Sequence, residues 1–404
     1  MKILFVSEYF PPKVMGGGEI NLELLVQNLS KNGIKVYVLT SHFTGLKEYE
    51  KICGVHIYRR LKTGKNADSI TGNFFRSYFF PKSVKKEIIK LKKKIDFDIV
   101  HFIGTSIIAA ELCNKLKLKC VATIESYITL CPKGNLIYKG EKICSQDCNF
   151  CKFVSCQLKS EEIGKIRNRF YLKYCPFFLI YIYNHYRKLN KSLKKCSLIS
   201  ISSFIEKRLG FESNVIPNII EVDKFYYKKP KNKKINILYL GSLTRYKGPQ
   251  ILLKAAKGLD CKIKLYGDGI LKKHLVDIIK KYDMDAKIYS QVDYKKVPKI
   301  FAESDIVVFP SIWPEPFGRI AVEAMASGKP IIASDAGAIK DIIKDSGIVV
   351  KAGDVNDLRK AINRLMKNKK LRFELGKKGM ELVNKYSKEN VIKKLIEFYK
   401  IKTL

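Results

Sequence analysis

Two doubly wound α/β domains, one following the other, are the architecture this sequence predicts. Three features carry the prediction: a strand, a glycine-bearing turn and a helix open the chain; the same alternation restarts after a polar stretch near the middle; and 404 residues exceed one ordinary core. Ile3 to Val6 reads as a short buried strand and Glu8-Tyr9-Phe10-Pro11-Pro12 through Gly16-Gly17-Gly18 as a loop. Ile20 to Leu29 then has helical spacing, with Leu22, Leu25, Val26 and Leu29 on one face, and Val36 to Leu39 is the next strand. Further strands are expected at Asp98–Phe102, Lys119–Ile124 and Ser197–Ile201, within a first domain spanning 1–218 that carries a Cys-rich insertion at about 128–190. Pro217-Asn218 and Pro230-Lys231-Asn232-Lys233-Lys234 mark a linker over 219–234. The second domain, 235–386, has strands expected at Ile235–Leu240, Cys261–Tyr266, Ala286–Ser290, Ile306–Phe309 and Pro330–Ala333. Residues 387–404 read as a helix with Val391, Leu395 and Phe398 on one face, packing back toward the first domain. Such domains bind ligands at the carboxyl ends of their strands, so a pair of them predicts a cleft across which they face each other.

The charge is strongly positive, with 77 Lys and Arg against 38 Asp and Glu, but it is unevenly spread. Residues 51–100 hold 13 basic and 4 acidic side chains, whereas 301–350 hold 4 and 7, so no continuous basic track marks a nucleic-acid binder. No run of 18 apolar residues appears and the start lacks a signal-peptide pattern, which predicts a soluble cytoplasmic protein. Phe74-Phe75-Arg76-Ser77-Tyr78-Phe79-Phe80 precedes an expected helix with Val84, Ile88, Leu91 and Ile95 on one face and Lys85, Lys86, Lys90, Lys92, Lys93 and Lys94 around it. That suits either a core helix with a solvated face or peripheral attachment to an anionic membrane. The apolar stretch Tyr174–Tyr183 is too short to span a bilayer.

The densest chemical signal is the string from Phe309 to Pro330, Phe-Pro-Ser-Ile-Trp-Pro-Glu-Pro-Phe-Gly-Arg-Ile-Ala-Val-Glu-Ala-Met-Ala-Ser-Gly-Lys-Pro. Its two carboxylates, Glu315 in the loop and Glu323 in the following helix, are placed to accept hydroxyl hydrogens from two parts of one ligand. The helix-start amides of Phe317, Gly318 and Arg319 suit phosphate oxygens. The string resembles the E-x7-E signature of retaining glycosyltransferases of family 4, which have the GT-B fold of two Rossmann-like domains. The resemblance extends to Tyr9-Phe10-Pro11-Pro12 with Gly17-Gly18, to Val215-Ile216-Pro217-Asn218 and to Gly267-Asp268-Gly269. It implies a donor sugar held by Glu315, a nucleotide ribose held by Glu323, a diphosphate met by Lys247 and by amides near Gly17-Gly18 and Gly318, and Gly241 and Gly267 among the substrate- and nucleotide-binding positions. In Gly241-Ser242-Leu243-Thr244-Arg245-Tyr246-Lys247-Gly248, Ser242 stands where the family has an arginine, so Arg245 is the candidate substitute. Glu125 stands where many members have a His-Asp pair, and is expected either to bind substrate or to stabilise charge at the anomeric carbon.

Six of eleven cysteines fall between 131 and 175, at Cys131, Cys144, Cys148, Cys151, Cys156 and Cys175. Cys131, Cys144, Cys148 and Cys151 have spacing that suits a structural Zn or iron–sulfur site, with buried free thiols as the other reading. Cys53, Cys113, Cys120, Cys196 and Cys261 are expected as small buried hydrophobes.

The expected function is retaining transfer of a sugar from a UDP- or GDP-sugar to a hydroxyl acceptor, such as a lipid-linked or cell-surface glycan precursor, with no cofactor needed for transfer. A sugar phosphorylase, a nucleotide-sugar epimerase, or a non-catalytic membrane or nucleic-acid binding protein of this fold are the alternatives.

Overall fold

The computed structural model describes residues 1–64, 70–139, 142–144, 148–158, 176–228 and 234–403. Cys175, Tyr174 and Pro230-Lys231-Asn232-Lys233 therefore lie outside the described residues. The chain forms two compact units, Met1–Pro217 with Ile392–Leu404, and Asn218–Val391.

The first unit is built on an eight-stranded sheet. Its strands are β1 (Lys2–Val6), β2 (Lys35–Ser41), β3 (Tyr49–Ile52), β4 (Val55–Leu61), β5 (Ile99–Ile103), β6 (Lys119–Ile124), β9 (Ser197–Ser200) and β10 (Asn214–Val215). A separate two-stranded ribbon, β7 (Ile137–Tyr138) with β8 (Lys142–Ile143), lies in the Cys-rich region. The spatial order is β10-β9-β6-β5-β1-β2-β4-β3, all parallel except β3. Ile3, Leu4, Phe5 and Val6 are fully buried, as a strand covered on both faces requires. Strand order reverses between β1 and β5, so their carboxyl ends form the crevice of this unit.

Three local expectations change here. The helix begins at Gly17 rather than Ile20, so Gly17 and Gly18 form its first turn; the Glu19 carboxylate caps it by accepting from the amides of Gly16 (2.9 Å) and Met15 (3.3 Å). Cys53 is exposed, not buried, because Cys53-Gly54 is the two-residue turn of the β3–β4 hairpin, with φ of 49° and 80°. Cys196 is only half-buried, while Cys113, Cys120 and, in the second unit, Cys261 are buried. The aromatic run at 74–80 does not precede a helix but lies inside one, Ile70–Lys92. Phe80, Val84, Ile88 and Leu91 make its buried face, leaving Tyr78 and Phe79 exposed.

The end of the chain completes the first unit. The helix Lys388–Thr403 buries Ile392, Leu395, Phe398 and Tyr399. Tyr399 hydrogen-bonds Nδ1 of His101 on β5, and Nε2 of His101 pairs with Thr123 Oγ1 on β6 (2.7 Å). Complete burial drives the His101 imidazole down to about 3, so it is neutral and its two ring nitrogens are matched by two hydroxyls.

The second unit carries a six-stranded, wholly parallel sheet of β11 (Ile235–Leu240), β12 (Cys261–Tyr266), β13 (Ala286–Tyr289), β14 (Ile306–Phe309), β15 (Ile331–Ser334) and β16 (Gly347–Val350). Its order is β13-β12-β11-β14-β15-β16, which puts the switch point between β11 and β14. Residues 219–228, expected as linker, are instead part of this unit. Ile219 and Ile220 are fully buried, Phe225 packs edge-on against Phe301, and the buried Lys329 ammonium donates to the carbonyls of Lys228 (2.7 Å) and Ala302 (2.9 Å). Apolar side chains every few residues hold the segment down despite its turn-rich composition.

Candidate functional site

The carboxyl ends of β11 and β14 bring together the two halves of the strongest sequence signal. After β11 the chain makes a single tight turn, Arg245–Lys247, closed by Gly248 at φ 73°. A Cβ at Gly248 would lie 2.0 Å from the Pro310 carbonyl oxygen, so only glycine lets this turn meet the loop after β14. The amides of Ile312 (2.8 Å) and Trp313 (3.2 Å) both donate to the Tyr246 carbonyl, stitching the loops side by side. In this frame Lys247 Nζ donates to Glu315 Oε1 at 2.7 Å and stands 4.3 Å from the centroid of the Trp313 ring. Glu315 is buried, and its backbone is held by Ala336 and Ala338 on either side of Gly337.

The helix Arg319–Ala326 starts from Gly318 at φ 90°, where a Cβ would lie 2.1 Å from the Ile339 side chain. The amides of Phe317, Gly318 and Arg319 precede its first intrahelical bond, Ala321 to Gly318 at 2.9 Å, in the position that suits an anion. The Phe317 side chain is structural, buried edge-on against Tyr386. Glu323 is fully buried one turn further on. Burial pushes its carboxyl up, and the Arg319 guanidinium and the Tyr294 hydroxyl pull it back toward the charged form.

Other expected residues are placed differently. Arg245 is exposed on the same turn as Lys247. The Gly241 and Gly267 amides donate to the carbonyls of Tyr266 and Tyr289 (3.0 Å each), and a Cβ at Gly267 would lie 2.0 Å from the Gly241 carbonyl oxygen, so the two loops pack against each other here. Gly18 and Glu125 belong to the first unit, where they meet each other: a Cβ at Gly18 would lie 2.8 Å from Glu125 Oε1. Burial, with Glu19 nearby, raises the Glu125 carboxyl to about 7. Tyr294 and Trp313 are not expected as site residues from the sequence: Trp313 lies inside the Phe309–Pro330 string without a role of its own, and Tyr294 is marked only as an aromatic residue after β13.

The four cysteines expected as a metal set are not assembled. Cys131, Cys144 and Cys148 line one small pocket, but its fourth thiol is Cys156, while Cys151 is exposed on the opposite side of the helix Phe150–Leu158. Two residues from Phe153, Cys151 is turned away from the face that Phe153 and Cys156 bury. Burial, then the neighbouring thiols, push Cys148 up to about 11. Among the described residues no three His, Cys, Asp or Glu side chains are grouped to hold a metal ion.

Residues 221–382 match the family model for glycosyl transferases group 1, beginning within the segment that the fold assigns to the second unit. An uncharacterized glycosyltransferase of Methanocaldococcus jannaschii is 26% identical over 426 residues, covering 99% of this chain and 98% of the relative. Among solved structures, sucrose-phosphate synthase from Thermosynechococcus elongatus has a TM-score of 0.73 at 18% identity, covering 99% of this chain and 98% of that one. HepE of Anabaena, in complex with UDP-glucose, has a TM-score of 0.67 at 16% identity, covering 99% of each.

Proposed function

The chain belongs to the group 1 glycosyl transferases and has the GT-B fold, and from that premise we propose that it moves a sugar from a nucleoside-diphosphate sugar to a hydroxyl acceptor with retention at the anomeric carbon, as a family 4 enzyme. The observation that carries this reading is the Lys247–Glu315 contact at the switch point of the second unit. The contact fixes both groups at the strand ends, where the ammonium would meet a diphosphate and the carboxylate sugar hydroxyls. Lys247 and the amides at Gly318 would stabilise charge developing on the departing diphosphate, which is the main electrostatic demand of the reaction. UDP-glucose in the HepE complex supports a UDP-sugar as donor.

The acceptor side is assigned to the first unit, where Glu125 and the first turn at Gly17-Gly18 meet at the crevice end of the sheet. Exposed Tyr78 and Phe79, beside the exposed Lys82, Lys85, Lys86 and Lys90, support an anionic membrane or lipid-phosphate acceptor. No helix of the described residues is long and apolar enough to cross a membrane.

Lys247→Ala is expected to lower sugar transfer by about 10²- to 10³-fold. Glu315→Ala is expected to abolish donor-sugar discrimination, with UDP binding largely kept. Titration with UDP and UDP-glucose, together with product analysis, checks both. Unchanged transfer in the two variants would remove the assignment, and sugar phosphate appearing in place of UDP would redirect it to a phosphorylase.

A further inference from the structure

Resting on the nucleotide-sugar reading of the second unit, we propose that Arg319 and Tyr294 are positioning residues that hold Glu323 as a hydroxyl-reading carboxylate and so set how strongly the site prefers a ribonucleotide to its deoxy counterparts. The three side chains form a closed ring of hydrogen bonds. Arg319 Nε donates to Glu323 Oε1 (2.9 Å), Tyr294 Oη donates to the same oxygen (2.9 Å), and Arg319 Nη2 donates to Tyr294 Oη (2.7 Å). Arg319 Nη1 reaches the Ile219 carbonyl (3.2 Å), and its guanidinium carbon lies 5.0 Å from the Tyr294 ring centroid.

Three separate segments thus converge on one buried carboxylate: the stretch before β11, the loop after β13 and the helix itself. The guanidinium offsets the cost of burying the charge, and the ring of bonds fixes a single orientation. Both donors converge on Oε1, and among the described residues no hydrogen bond to Oε2 is formed. A carboxylate with one oxygen tied off repels phosphate and accepts from neutral hydroxyls. The same helix carries its anion-suited amides one turn earlier, so a ligand with phosphate at Gly318 would present its diol at Glu323.

The test measures affinity of the full-length protein for UDP and GDP and for the 2′-deoxy and 3′-deoxy forms of each. Wild type is expected to favour a ribonucleotide over at least one deoxy counterpart by about tenfold or more. Tyr294→Phe, which keeps the ring and its packing, should shrink that ratio by about threefold or more and raise donor KM with kcat nearly unchanged. Arg319→Gln should bring the ratio close to one, and Arg319→Lys, which keeps charge without the planar fork, should restore part of it. If Tyr294→Phe and Arg319→Lys weaken ribo and deoxy forms equally, the pair is only structural and the inference is overturned. If wild type binds none of the nucleotides, the nucleotide reading itself fails, an outcome distinct from an unaltered ratio.

Discussion

Glu125 retains its proton to about pH 7 because burial disfavours its charge and Glu19 lies close by. An unfolded chain releases that proton near about 4.3, so between these values the folded state binds a proton that the unfolded state does not. Stability from this group is therefore full below the unfolded value and is lost as pH rises through 7. Thermal unfolding followed across that window should show wild type losing stability, with Glu125→Gln removing this component of the slope. An identical slope in the variant would place its origin elsewhere. The residue type was legible in the sequence, but its environment was not: Gly18 and Glu125 are far apart in the chain and meet only because β1 and β6 deliver them to the same end of one sheet.

The loops after β11 and β14 work as one unit because Gly248 lets their backbones touch. Gly248→Ala places a Cβ against the Pro310 carbonyl at a backbone angle that alanine rarely adopts, at a cost of about 1–3 kcal/mol. It should lower the unfolding midpoint and raise donor KM by displacing Lys247 from Glu315; a variant with wild-type donor KM would show the turn to be dispensable. Elements of this kind were well signalled where a glycine-bearing loop joined a buried strand to an amphipathic helix. The β3–β4 hairpin was not signalled, because its turn uses Cys53 rather than Asn or Asp at a positive φ. Residues 219–228 look like linker by composition, yet Ile219, Ile220 and Phe225 bury them, and periodicity over so short a span cannot announce that.

At the scale of the whole chain, the last helix returns to finish the first unit's core. Tyr399→Phe would leave one nitrogen of the buried His101 without its hydroxyl partner, costing about 1–3 kcal/mol. Denaturant unfolding should report that loss while UDP affinity stays at the wild-type value, since His101 and Tyr399 both belong to the first unit. A parallel fall in UDP affinity would show that the first unit's stability governs the donor site.

Local patterns along the chain reveal the two α/β units and most of their strands, because buried parallel strands are short apolar runs, and they single out the string carrying Glu315 and Glu323 and the loop carrying Lys247, because each is local in the chain. Which of those residues touch follows from the fold alone. Lys247 meets Glu315 across 68 positions, and Tyr294 meets Glu323 across 29. It also turned Cys151 away from the other cysteines, since a helix fixes the direction of each side chain whatever its spacing implies. Contacts between distant segments follow from strand order and register, which no local pattern of residues encodes.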